Sequence, residues 1–209
     1  MIDWDSCVLW LDSKYFSESY WWDRSRYRND GVVHGAVWRG NGLYFDGSDD
    51  YVNCGHKSSL NITNTITIEV WVFVNHSSGS GRKELVNKKE GFGSLLLSNT
   101  PGSLTLQLYQ DGAFRNVTGT RTNFPSGWYH LVGTFNGTEG KVYVNGEDDT
   151  DTDNTLDQAI DSTNNDVLIG SYGNETNWLN GTIGIVRIYN KALTGEEIKI
   201  LYNLTYRKT

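Results

Sequence analysis

The chain has 209 residues, 23 of them glycine, 8 tryptophan and 12 tyrosine. That size and turn vocabulary suit one large β domain spanning 1–209 rather than two small ones. A formal net charge of −7 without a basic stripe argues against nucleic-acid binding, and no apolar run nears the roughly 20 residues of a membrane span.

The opening Met1-Ile2-Asp3-Trp4-Asp5 lacks the basic-then-apolar profile of a signal peptide. Either the protein is not exported by that route, or this is a piece of a longer exported chain. Next comes Tyr15-Phe16 through Tyr20-Trp21-Trp22 to Arg28, which reads as an aromatic loop with Arg and Asp interleaved. Leu43 to Phe45 and Tyr51 to Asn53 flank Asp46-Gly47-Ser48-Asp49-Asp50, a hairpin signature. Ile66 to Val74 then alternates: Ile66, Ile68, Val70, Val72 and Val74 on one face, Thr67, Glu69, Trp71 and Phe73 on the other.

Leu104, Leu106 and Leu108 repeat that period before a turn at Asp111-Gly112. Trp128 to Phe135 and Lys141 to Val144 are strands joined across Asn136-Gly137, with a further turn at Asn145-Gly146. The acidic stretch Glu147 to Asp166 reads as a loop, and Val167 to Ile169 and Ile183 to Tyr189 as the last strands. One helix follows. Thr194 with Glu197 forms a capping box, and Ile198, Leu201 and Tyr202 share a face. Many strands and one helix predict an all-β, two-sheet antiparallel jelly-roll sandwich with a short C-terminal helix.

Several of these stretches carry a family resemblance. Gly42-Leu43-Tyr44-Phe45-Asp46-Gly47-Ser48-Asp49-Asp50-Tyr51-Val52, Ile66-Thr67-Ile68-Glu69-Val70-Trp71-Val72 and Gly127-Trp128-Tyr129-His130-Leu131-Val132 through Asn145-Gly146 resemble laminin-G-like domains of the concanavalin A-like lectin/glucanase superfamily. Val186-Arg187-Ile188-Tyr189-Asn190-Lys191-Ala192-Leu193-Thr194 resembles the family's ending, and Asp23 through Gly31 its opening loop. One departure stands out. Relatives read I-D-E-V-R-I-Y where this chain has Ile183-Gly184-Ile185-Val186-Arg187-Ile188-Tyr189, without the two acidic residues.

The fold leaves the chemistry open. A retaining glycosidase needs two carboxylates roughly 5 Å apart, presented in this superfamily as E-x-D-x-x-E. The nearest approach here is Glu147-Asp148-Asp149 with Thr152 in the third position, so the chain is expected not to be an enzyme. His34, His56, His76 and His130 sit in unrelated contexts, and His130 reads as structural. The resemblance implies a Ca²⁺ site, with Asp46, Asp49 and Asp50 as ligands and Asp23 as an outside candidate.

Sugar binding asks for aromatic faces rimmed by polar side chains. Tyr172, Asn174, Asn177 and Trp178 have that composition, as does the segment holding Trp21 and Trp22; Trp71 and Trp128 match framework positions. Cys7 and Cys54 are expected to pair as a disulfide, with two buried thiols as the alternative. Asn-x-Ser/Thr sequons at Asn61, Asn75, Asn116, Asn136, Asn174, Asn180 and Asn203 lean toward an extracellular, cell-surface or virion-surface setting. The expected partner is therefore carbohydrate or a glycoprotein. A structural or adhesion domain making protein contacts is the alternative, and a laminarinase-type hydrolase comes third.

Overall fold

The computed structural model describes residues 2–75, 81–98, 102–151, 156, 158–173 and 176–206. β1 (Cys7–Phe16), β2 (Tyr20–Asp23), β3 (Gly31–His34), β4 (Val37–Arg39), β5 (Gly42–Asp46) and β6 (Tyr51–Asn53) come first. The middle holds β7 (Ile66–Val74), β8 (Lys83–Lys88), β9 (Gly93–Leu97), β10 (Leu104–Gln110) and β11 (Ala113–Thr118). β12 (Gly127–Phe135), β13 (Gly140–Val144), β14 (Glu147–Asp148), β15 (Leu168–Ile169) and β16 (Asn180–Tyr189) precede the helix α1 (Gly195–Tyr206).

All the pairings are antiparallel. They run in one path, β11-β10-β9-β8-β15-β6-β3-β2-β1-β16-β7-β12-β13-β14, with β5 attached to β16 and β4 to β5. Register slips between Leu11 and Phe16, where β1 hands over from β16 to β2. The two expected sheets are thus two layers of one continuous ladder. Leu104, Leu106 and Leu108 of one layer share a core with Val70, Leu131 and Phe135 of the other. Each such side chain, fully buried, contributes about 1.5–3 kcal/mol. A Cβ on Gly133 would lie 3.0 Å from Leu95 and 3.1 Å from Leu106, so glycine is what lets β9 and β10 approach β12.

The expected alternation in β7 is present, with Ile68, Val70 and Val72 between the layers. α1 begins with the expected capping box: the Thr194 amide donates to Glu197 Oε2 at 2.9 Å, and the Glu197 amide to Thr194 Oγ1 at 3.2 Å. Ile198 and Leu201 pack on Val132, Tyr143 and Tyr189, so the helix lies on the outward face of β12, β13 and β16.

Three readings need correction. Asp46 to Asp50 is a turn but not the expected hairpin, because β5 pairs with β16 and β4 whereas β6 pairs with β15 and β3. The segment expected as an aromatic loop is in part strand, holding the end of β1 and all of β2, Trp21 and Trp22 included. The Cys7–Cys54 disulfide is not formed, and both thiols are buried and free. A register shift between Cys7 and Leu9 turns Cys7 toward the helix side, where its thiol donates to the Leu9 carbonyl at 3.2 Å. Cys54 belongs instead to the core between the layers. Burial pushes the Cys7 thiol up to about 12 and raises that of Cys54 as well.

Candidate functional site

Pleating gives β1, β16, β7 and β12 a common outward face, and their register sets it in rows. One row runs Trp10, Arg187, Glu69, Val132; the next runs Asp12, Ile185, Trp71, His130. Beyond them Phe73 faces Trp128 edge to face, ring centroids 5.9 Å apart. A groove of about 890 Å³ opens along these rows beside α1. Five of the eight tryptophans line it, Trp4, Trp10, Trp38, Trp71 and Trp128. They come from five elements: the short turn Trp4–Ser6, β1, β4, β7 and β12.

Trp4 and Trp38 are each 43% exposed. Trp4 stacks on Trp10 at 5.0 Å, while Trp71 is buried beneath Tyr202 of the helix, stacked at 5.7 Å. The departure at 183–189 falls on this groove. A Cβ on Gly184 would lie 3.1 Å from the Asn41 carbonyl oxygen and 3.4 Å from the Trp128 ring, so its absence leaves room there. Ile185 gives the groove apolar surface where relatives carry a carboxylate.

Beneath the rings lies a buried polar network. Arg187 Nη1 donates to Glu69 Oε1 at 2.6 Å, His130 Nε2 sits 3.2 Å from the same oxygen, and the Tyr189 hydroxyl donates to Glu69 Oε2 at 3.2 Å. Burial alone would raise the Glu69 carboxyl; Arg187 and His130 outweigh it and hold it down to about 2. Not every polar atom of the site is used. Trp10 Nε1, Trp71 Nε1, Arg187 Nε and His130 Nδ1 are buried without a partner. Such an atom costs on the order of 1–3 kcal/mol each. Above them, the Arg24 guanidinium lies 4.0 Å from the Tyr15 ring centre, 4.6 Å from that of Trp10 and 3.7 Å from Asp12. Flat indole faces suit the C–H side of a sugar ring, and unpartnered N–H groups suit a ligand rich in oxygen.

The residues singled out from sequence lie elsewhere. Trp178 is half-buried, tilted against Tyr51 at 6.1 Å, and Tyr51 stacks on His34 at 4.3 Å. Tyr172 has the Arg82 guanidinium 5.4 Å from its ring centre, and the Asn177 carbonyl accepts from the Glu84 amide at 3.2 Å. Asn174 lies outside the described residues. Trp21 is corrected outright: it is 0% exposed, inside the core, and unable to meet a ligand. Trp22, its neighbour on β2, points the other way, 39% exposed and stacked on Tyr20 at 5.0 Å. Alternation along the strand separates the pair.

The carboxyl oxygens of Asp46, Asp49 and Asp50 do converge, all within 4.8 Å of one another. Two of them also serve the turn itself, since Asp46 Oδ1 accepts from the Ser48 amide and Asp50 Oδ2 from the Asp46 amide, each at 2.8 Å. Burial and the neighbouring Asp46 and Asp49 charges raise the Asp50 carboxyl. Asp23, the outside candidate, is occupied by its loop. Its oxygens accept from the amides of Trp10, Ser25 and Asn29 and from the Ser25 hydroxyl.

The acidic stretch after β13 is occupied too. Glu147 meets Lys199 at 2.7 Å, Asp148 lies 3.7 Å from Lys141, and Asp149 accepts from the Thr120 hydroxyl at 3.0 Å. Thr152 lies outside the described residues.

Comparison with curated proteins finds none that matches. Among solved structures, Trypanosoma rangeli sialidase superposes with a TM-score of 0.70 at 22% identity, over 97% of this chain and 33% of that one. The binding domain of Paraclostridial Mosquitocidal Protein 1 gives 0.75 at 17% identity, over 97% and 53%. The receptor binding domain of botulinum neurotoxin C/D mosaic serotype gives 0.72 at 18% identity, over 96% and 52%. The chain thus spans from a third to about half the length of these neighbours, and at such identities the likeness is one of fold. Residues 46–199, well over half the chain, match the family model described as the concanavalin A-like lectin/glucanases superfamily, and the chain belongs to that family.

Proposed function

We propose that this chain is a non-catalytic surface-recognition module that binds carbohydrate, or a glycosylated partner, in the tryptophan groove. The observation that carries the reading is the convergence of five tryptophans from five elements on one groove, two of them 43% exposed. Large exposed rings gathered in one concavity mark a binding surface. Two fold neighbours are themselves titled as a binding domain and a receptor binding domain.

Binding without catalysis is supported by the carboxylates at hand. A glycosidase acid needs a raised pKa, whereas Glu69 is held down to about 2 by its burial partners Arg187 and His130. Asp12 in the groove wall lies 3.7 Å from Arg24. The Asp46, Asp49 and Asp50 turn is proposed as a Ca²⁺ site of the same module, and an extracellular, cell-surface or virion-surface setting is proposed from the sequons, of which Asn116, Asn136 and Asn203 are exposed.

A glycan array tests the function. Wild-type protein is expected to bind a defined subset of glycans, and Trp38→Ala to lose that binding with an unchanged melting temperature. Failure to bind any glycan would hand the groove to the adhesion reading, in which the same rings contact a protein.

A further inference from the structure

The charge at the groove differs in sign from that of the molecule. Among the described residues, Lys14, Arg24 and Arg187 line it, against one lining carboxylate, Asp12, and the buried Glu69 behind it. Three cations to two carboxylates leave one positive charge over, in a chain of net charge −7. The unpartnered groups point the same way. Trp10 Nε1, Trp71 Nε1 and Arg187 Nε are all N–H donors, buried in residues that line the groove. A floor of unanswered N–H dipoles beneath a cationic rim favours negative charge above it.

Resting on the glycan reading, we infer that the groove selects acidic sugars: a carboxylate-bearing residue, such as a uronic or ulosonic acid, stacks on the tryptophans with its carboxylate toward Arg24 and Lys14. Arg24 is placed for this, partly exposed with its guanidinium over the Trp10 and Tyr15 rings. Its plane is thereby fixed, and Asp12 at 3.7 Å holds it without a close bidentate contact. A neutral sugar would gain the stacking and leave the surplus charge unmet.

Calorimetry on matched pairs tests the inference, with lactose against sialyllactose and a chitin oligomer against a hyaluronan oligomer of equal length. The acidic member of at least one pair is expected to bind about tenfold or more tightly at low salt, with the gap closing near 0.5 M NaCl. Arg24→Gln should narrow the acid-over-neutral ratio in that pair to within about twofold, because the charge is lost while stacking surface remains. Equal affinity within both pairs, or a ratio that survives in an Arg24→Gln, Lys14→Gln double variant, overturns the acid preference and leaves the glycan reading standing. If no member of either pair binds and the array is also blank, the glycan reading itself falls and the acid preference goes with it.

Discussion

Glu69 sits in a strand whose alternation was legible: Thr67, Glu69, Trp71 and Phe73 were expected to share a face, and Glu69, Trp71 and Phe73 line up in the outward rows. Its partners Arg187 and His130 stand 118 and 61 residues away, a pairing no local pattern reveals. Glu69→Gln leaves the Arg187 charge buried without its partner and is expected to cost about 3–5 kcal/mol in urea unfolding at neutral pH. A loss below about 1 kcal/mol would contradict the buried pair. The folded carboxyl at about 2 lies below its ordinary 4.5. Its stabilisation is therefore complete above pH 4.5 and is lost as pH falls through 2, a decline that Glu69→Gln should flatten. The cysteines make a second residue-scale case. Both thiols should resist alkylation in the native protein and react fully, without reductant, once it is unfolded. A mass lower by two hydrogens, with neither thiol reactive, would restore the disulfide.

Elements were legible where their own chemistry marks their ends. The capping box at Thr194 and Glu197 placed the helix start, and Thr194→Ala is expected to lower stability by about 1 kcal/mol. An unchanged melting temperature would show that the hydroxyl contributes nothing. The turn between β5 and β6 is equally plain in the sequence, and its three aspartates converge as expected, although the two strands pair with other partners and not with each other. Calorimetric titration with Ca²⁺ should give a binding heat that Asp49→Asn removes; no heat in the wild type would eliminate the cation. Elements escaped where the outward face hides its polarity. β8 reads as polar because Glu84, Asn87 and Lys88 are all buried, so its period is masked. β2 reads as a loop in the sequence because it is four residues long amid charged neighbours. Trp21 and Trp22 therefore read as one group, although a strand sends neighbours to opposite faces.

At the scale of the whole molecule, the sandwich was legible and the groove was not. Trp71 and Trp128 read as framework because each sits inside a strand motif. Trp71 is indeed buried, whereas Trp128 is only partly so and borders the groove. What assembles the site is the strand order β1-β16-β7-β12, which brings Trp10, Arg187, Trp71 and Trp128 together from distant segments. Trp4 and Trp38 join from outside that block, so no window of sequence contains more than a fragment of the site. Trp178 remains the rival anchor, on the other layer against Tyr51. The indole N–H signals separate the two directly, because each of the eight tryptophans contributes its own resonance. On titration with an array-selected glycan, the signals of Trp4, Trp38 and Trp128 are expected to shift in a saturable way while those of Trp21, Trp22 and Trp178 hold still. Saturable shifts at Trp22 or Trp178, with the groove tryptophans unmoved, would contradict the assignment of the groove as the binding site.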